Sequence, residues 1–353
     1  MKFLPEDVKK ILLIRTDRIG DVVLTTPAMQ TVREQFPSAH ITVLLTPVTR
    51  SLVEGLPFVD EVFVDDRRGA HAGPGGFARL VADVRKRRFD LALNYHTKRR
   101  TNFLCFLSGI PRRVGYNSGK WGHLMNIRVP DSRHLGQKHE VEYCLDFLRF
   151  LDVPAATRDP EIAMSPASLR WARELADEQR SAYPGHALVC VHAGSSCPTK
   201  RWPIPNFVQT VRHVYARRKC VVFVIGGPEE QADARSFCSG LPPEIPCHDL
   251  TGRTSLSQTA ALLKECGLLI SSDSGPVHVA DAAGTAVVSI FTRNQPGINP
   301  ERWRPWGAQS RCVAPEPGEG VDVSRGGRQD AALLYHIAPQ KVMSVIDAVY
   351  ELC

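Results

Sequence analysis

No run of eighteen or more apolar residues occurs in this 353-residue chain, so no membrane-spanning helix is expected. The amino terminus, Met-Lys-Phe-Leu-Pro-Glu-Asp, lacks the apolar stretch of a secretory signal, and none is expected. No Cys-x-x-Cys pair occurs among the ten cysteines. Several of them sit inside apolar runs: Cys105 in Phe-Leu-Cys-Phe-Leu, Cys190 in Leu-Val-Cys-Val, and Cys220 before Val-Val-Phe-Val. That pattern fits buried, reduced thiols of a cytosolic protein better than a disulfide framework or a thiolate metal site. No Gly-x-Gly-x-x-Gly and no Gly-Lys-Ser/Thr follows the first strand signal, which argues against a dinucleotide fingerprint and a P-loop. No Asp-x-Asp pair lies in the loops at the predicted strand ends, so no metal is expected in the site. Helix-turn-helix, zinc-finger and aromatic ribonucleoprotein motifs are also missing, which weakens a nucleic-acid reading.

What is present begins with charge. The net charge of +7 is unevenly spread: residues 1–150 hold 24 Lys and Arg against 16 Asp and Glu, and the remainder holds 20 against 21. A basic first half points to an anionic partner, whether a phosphorylated sugar or an anionic membrane surface. The cluster at 85–88 reads equally well as a solvated helix face. Lys98, Arg99, Arg100, Arg112 and Arg113 fall near predicted strand ends and are the stronger candidates.

The apolar pattern alternates between strand and helix periods in both halves. Strands are predicted at 11–14, 41–45, 62–64, 91–94 and 113–116, with helices at 22–35, 49–56 and 77–87 and a Gly-rich loop at 69–76. A second series has strands at 187–192, 221–225, 268–271 and 287–291, with helices at 207–217, 229–239, 256–264 and 277–283. Prolines at 154, 160 and 166 mark the linker between them. The expected architecture is α/β, with two Rossmann-like, doubly wound parallel-sheet domains facing a cleft. The domains are placed at 1–165 and 166–353, with a last helix at 339–352 that could pack back on the first.

Four segments carry candidate chemistry. Asp21 lies in Arg-Ile-Gly-Asp, just after the first strand and at the start of a helix. A carboxylate there is either a helix cap or a catalytic base. The strand ending at His192 runs into Ala-Gly-Ser195-Ser196-Cys-Pro-Thr-Lys200-Arg-Trp-Pro. Small residues there let backbone amides approach a phosphate, and Lys200 can add a point charge. Ile225-Gly226-Gly227-Pro228-Glu229-Glu230 is a strand-to-helix turn in which a glutamate could cap the helix or accept from ribose hydroxyls. Ser272-Asp273-Ser274-Gly275-Pro276-Val277-His278 opens a helix and forms an anion site at its amino end. Asp273 beside an anion site calls for sugar hydroxyls or a cationic neighbour, and His278 reads as structural or as a ligand.

Taken in order, Arg-Ile-Gly-Asp-Val-Val-Leu-Thr-Thr-Pro-Ala (18–28), Lys-Arg-Trp-Pro (200–203), Leu-Thr-Gly-Arg-Thr-Ser-Leu (250–256) and Ser-Asp-Ser-Gly-Pro-Val-His (272–278) resemble the ADP-heptose:lipopolysaccharide heptosyltransferases of glycosyltransferase family 9. The resemblance covers nearly the whole chain. It implies a GT-B fold and an inverting transfer of heptose from ADP-heptose to the lipopolysaccharide inner core, with no metal or other cofactor. It implies Asp21 as general base, Ser195, Ser196 and Lys200 on the diphosphate, Glu229 on the ribose and Thr254 at the adenine. Asp273, Ser274, Gly275 and His278 would meet phosphate and donor sugar. The acceptor-binding residues would be Lys98, Arg99, Arg100, Arg112 and Arg113 in the first domain. The implied partners are an ADP-sugar and an anionic lipopolysaccharide-core acceptor, met in the cytoplasm at the inner face of the inner membrane. The chain departs from some members at 311–336, which is Gly- and Arg-rich where they carry a cysteine motif. A member using another nucleotide sugar or acceptor, a non-catalytic nucleotide- or glycan-binding protein, and an NAD(P)-dependent oxidoreductase remain the competing expectations.

Overall fold

The computed structural model describes residues 7–195, 197–315 and 337–350. The chain divides into two compact units, Met1–Ala163 and Met164–Cys353.

In the first unit, in chain order, stand β1 (Lys10–Ile14), α1 (Ile19–Val23), α2 (Thr26–Gln35), β2 (His40–Leu45), β3 (Glu61–Val64) and α3 (Gly73–Arg87). These are followed by β4 (Leu91–Asn94), α4 (Arg99–Leu107), β5 (Arg112–Tyr116), β6 (Ile127–Val129) and α5 (Glu140–Arg149). Ile11, Leu12, Leu13 and Ile14 are all fully buried, as a strand covered on both faces requires. The six strands pair in the order β3-β2-β1-β4-β5-β6, and every pairing is parallel. Chain direction across the sheet therefore reverses between β1 and β4, the point where open α/β sheets bind ligands at their carboxyl ends. Ile14 pairs with Asn94, so the segments that follow these two strands leave the sheet side by side. The Gly-rich loop expected at 69–76 is partly helical, because α3 starts at Gly73 with Pro74 in its first turn, where a missing N–H costs nothing.

The second unit repeats this plan. It comprises α6 (Pro166–Ala182), β7 (Ala187–His192), α7 (Ile204–Arg217), β8 (Cys220–Val224), α8 (Gln231–Gly240), β9 (Cys247–Asp249) and α9 (Leu256–Glu265). Then come β10 (Leu268–Ser272), α10 (Gly275–Ala282), β11 (Ala286–Ile290), α11 (Pro300–Trp303), β12 (Arg311–Val313) and α12 (Pro339–Tyr350). The order β12-β11-β10-β7-β8-β9 is the order of the first sheet, counted from this unit's own first strand. Its reversal lies between β7 and β10. Val342, Ile346 and Val349 of α12 are buried in this unit's own core beside Val211, Val214 and Ile290. The last helix, which the sequence left able to return to the first domain, thus buries its apolar side here. Among the described residues every cysteine is a free thiol, and burial pushes the Cys105 and Cys220 thiols up to about 12.

Candidate active site

Asp21 sits in the first turn of α1, two residues past the turn's opening, and the N-cap position belongs to Arg18. Its carboxylate is instead paired with Arg15, whose Nη2 donates to Asp21 Oδ1 at 2.8 Å. The same Nη2 donates to Glu140 Oε1 at 2.7 Å, and Arg15 Nε lies 3.2 Å from Asp17 Oδ1. Arg15 Nη1 reaches the Tyr95 carbonyl at 3.4 Å, bridging the segments that follow β1 and β4. Arg15 and Glu140 are each 1% exposed, whereas the Asp21 side chain is 17% exposed. One buried guanidinium therefore anchors a carboxylate that reaches solvent at the switch point. Burial opposes the Arg15 charge, but Asp17, Asp21 and Glu140 outweigh it and hold the group well above its ordinary range. Burial pushes the Asp17 carboxyl up, Arg15 opposes that, and Glu140 adds to it.

The same edge is strongly cationic. Burial, then Arg15, Arg67, Lys98 and Arg133, lower the His96 imidazole to about 3. Lys98 is the N-cap of α4, and Lys98 and Arg99 are exposed. Arg100 is committed elsewhere: its Nε and Nη2 grip Asp65 at 2.8 and 2.7 Å, and its guanidinium stacks 4.7 Å from the Phe77 ring. Arg112 and Arg113 open β5, and Arg112 pairs in register with Leu91, the first residue of β4. They lie at the amino edge of the sheet, opposite Asp21, because they start a strand rather than end one. Arg113 donates to the Leu124 and Ile110 carbonyls at 3.0 and 2.6 Å. The structure gathers Asp21, Lys98 and Arg99 at one edge, and leaves Arg112 and Arg113 at the other.

In the second unit the donor candidates converge on the carboxyl edge of one sheet. Ser195 and Lys200 follow β7, Glu229 follows β8, Thr254 follows β9, and Asp273, Ser274 and Gly275 follow β10. Lys200 Nζ meets Asp273 Oδ2 at 2.5 Å, across the reversal between β7 and β10. Asp273 thus has the cationic neighbour that its position called for. Arg201 Nε donates to the Ser195 carbonyl at 3.0 Å, and the Trp202 amide donates to Ser272 Oγ at 3.2 Å, tying the β7 loop to the end of β10. Ser274 is the N-cap of α10 without a side-chain cap to its own helix, so the amino end favours an anion. His278 is 4% exposed, 6.5 Å from the Trp303 ring. Thr254 Oγ1 lies 2.9 Å from Thr259 Oγ1. Ser196 lies outside the described residues, as does most of the Gly- and Arg-rich 314–329 segment.

Sequence reading singled out Glu229, which is exposed. The resemblance gave no role to the next residue of that turn, Glu230, which is 8% exposed and accepts from the Gly227 amide at 2.8 Å. Glu230 also lies 3.2 Å from His192 Nε2. Gly194 and Gly226 make room for it: a Cβ at either would press into the Glu230 carboxylate. Gly194→Ala is expected to cost about 1–3 kcal/mol by this overpacking. Urea unfolding checks it, and the loss should be largely recovered in Gly194→Ala/Glu230→Ala, since contacting sites are non-additive.

Comparison with known proteins gives the family and the fold. Residues 77–331 match the model of glycosyltransferase family 9 (heptosyltransferase). Lipopolysaccharide heptosyltransferase 2 of Escherichia coli is 24% identical over 353 residues, covering 96% of this chain and 98% of that protein. The crystal structure of the glycosyl transferase family 9 protein from Veillonella parvula superposes with a TM-score of 0.82 at 22% identity, covering 98% of each chain. The E. coli heptosyltransferase WaaC with ADP-2-deoxy-2-fluoro heptose gives 0.69 at 14% identity, covering 96% of this chain and 99% of that one. The fold is therefore GT-B, and the chain belongs to glycosyltransferase family 9 and is a glycosyltransferase.

Proposed function

We propose that this enzyme moves a heptose from ADP-heptose to a hydroxyl of the lipopolysaccharide inner core, with inversion at the anomeric carbon. The observation that carries the reading is the Asp21 carboxylate, held by buried Arg15 at the carboxyl end of β1 and open to solvent. The names of the relatives support the choice of sugar: one is a lipopolysaccharide heptosyltransferase, and one was determined with an ADP-heptose analogue.

Asp21 takes the proton from an acceptor hydroxyl as that oxygen attacks the anomeric carbon. The bond from that carbon to the diphosphate oxygen breaks, and ADP departs with the electron pair. General-base help of this kind is worth about 10²–10⁴-fold. Lys200 and the amino end of α10 meet the charge that grows on the diphosphate. Glu229 takes the ribose hydroxyls and Thr254 lines the adenine site, while Asp273 and His278 flank the sugar. Lys98 and Arg99 receive the anionic groups of the acceptor at the inner face of the membrane; Arg100 supports the Asp65 loop instead.

Two measurements test this reading. Calorimetric titration with ADP, UDP, GDP and NAD⁺ in EDTA is expected to show selective binding of ADP. A preference for UDP or GDP would discard ADP-heptose as donor, and binding of none would favour a non-catalytic protein. Lys98→Ala/Arg99→Ala is expected to raise the acceptor KM several-fold with little change in kcat, less so at high salt. An unchanged KM at low salt would assign these charges to solvation alone.

A further inference from the structure

His192 ends β7 and is 3% exposed. Its Nδ1 lies 2.9 Å from Ser274 Oγ and 3.3 Å from Ser271 Oγ, and its Nε2 lies 3.2 Å from Glu230 Oε2. Two glycines, 194 and 226, stand where any side chain would displace that carboxylate. Burial works against the Glu230 charge, but His192, the Gly227 amide and Arg201 outweigh it and hold the carboxyl below its ordinary range. Glu230 is therefore a carboxylate in the folded protein, and it can only accept.

The acceptor at Nε2 sets the tautomer of a neutral ring. Nε2 must carry a hydrogen to serve Glu230, so in a neutral ring Nδ1 is an acceptor. The Ser271 hydroxyl donates to the Ser272 carbonyl at 2.7 Å. The Ser274 O–H then has two acceptors, Nδ1 at 2.9 Å and Ser271 Oγ at 3.1 Å; spent on either, it leaves Ser274 with lone pairs toward the amino end of α10. A phosphate oxygen arriving there also brings only lone pairs. The contact becomes attractive when Nδ1 is protonated: Nδ1–H then donates to Ser274 Oγ, and the Ser274 O–H is released to the phosphate.

We propose that His192 is a positioning residue for the donor diphosphate: binding places a proton on Nδ1, and the imidazolium between Glu230 and Ser274 turns the serine hydroxyl into a phosphate donor. This rests on the placement of the ADP diphosphate at α10 given above. The bond strengthens as charge grows on the departing diphosphate, so it serves the transition state more than the bound donor. The charged group against the ring is Glu230, from the turn after β8; Arg201 of the β7 loop acts on Glu230, and Lys200 and Asp273 stand on the segments that follow β7 and β10. Each cation is itself paired with an acid, Lys200 with Asp273 and Arg201 with Asp233.

The test is calorimetry of the full chain with ADP in EDTA at about pH 8, where the phosphates of ADP are already ionised. Titration in buffers of different ionisation enthalpy counts the protons exchanged. Net uptake approaching one proton per ADP is expected, with affinity falling as pH rises, up to tenfold per pH unit. In His192→Asn the uptake and the pH slope should vanish and binding should weaken. Ser274→Ala leaves the buried His192–Glu230 pair in place and should also lose most of the uptake, which covers the case in which His192→Asn does not fold. ADP binding without proton uptake, or uptake unchanged in either variant, would overturn the proposal while leaving the donor assignment standing. Absence of ADP binding in the parent enzyme would overturn both.

Discussion

The Asp21→Asn enzyme is expected to turn over about 10²–10⁴-fold more slowly than the parent while binding ADP equally well. The substitution keeps the shape of the side chain and one oxygen for the Arg15 hydrogen bond, now made at 2.8 Å to Oδ1. It removes the negative charge and the capacity to accept a proton. The ADP-binding candidates follow strands of the second sheet, and ADP lacks the sugar carbon at which the base acts, so ADP affinity should be indifferent to the change. Steady-state kinetics and ADP titration on the same preparation check both halves. Turnover within a few-fold of the parent would remove Asp21 from the role of base.

Arg15→Met is expected to be the most damaging single change to stability, at about 3–5 kcal/mol. Arg15 is 1% exposed and is shared by Asp17, Asp21 and Glu140. Methionine fills the space but removes the cation that all three carboxylates share. Their carboxyls would rise above their unfolded-state values, so the loss should be largest near neutral pH and shrink as pH falls and they protonate. Urea unfolding across that range measures it. Adding Glu140→Gln should recover part of the loss, because it removes the 1% exposed carboxylate of the cluster. A deficit below about 1 kcal/mol, or one that grows with acid, would mean that the cluster is not held by Arg15.

The sheet architecture was largely legible because its central strands are continuous apolar runs, such as Ile11 to Ile14 and Val221 to Val224, and because turn residues separate them. What escaped were the short edges: β6, β9 and β12 have three residues each, too few to show a period. The helices α4 and α5 also went unmarked. Asp21 and the Ser272 to His278 segment were visible because chemistry-bearing residues there follow a strand directly. Their partners were not, since contact across the fold leaves no local trace. Glu140 reaches Arg15 from 125 positions away, and Asp65 claims Arg100 from 35. Arg112 and Arg113 lie near a strand end as expected, but at the start of β5, and in an all-parallel sheet that places them at the edge opposite Asp21. Glu229 drew attention over Glu230 because nothing in a Glu-Glu pair says which one turns inward. The crowding at Gly194 and Gly226 says so only in three dimensions.

The most direct measurement is transfer itself: parent enzyme, ADP-heptose and a lipopolysaccharide acceptor truncated before its heptoses, in EDTA, with ADP release and the anomeric configuration of the product both followed. Equimolar ADP and a heptosylated acceptor of inverted configuration are expected. Retained configuration, or transfer only from a UDP- or GDP-sugar, would contradict the assignment of Asp21 as base or of ADP-heptose as donor, respectively.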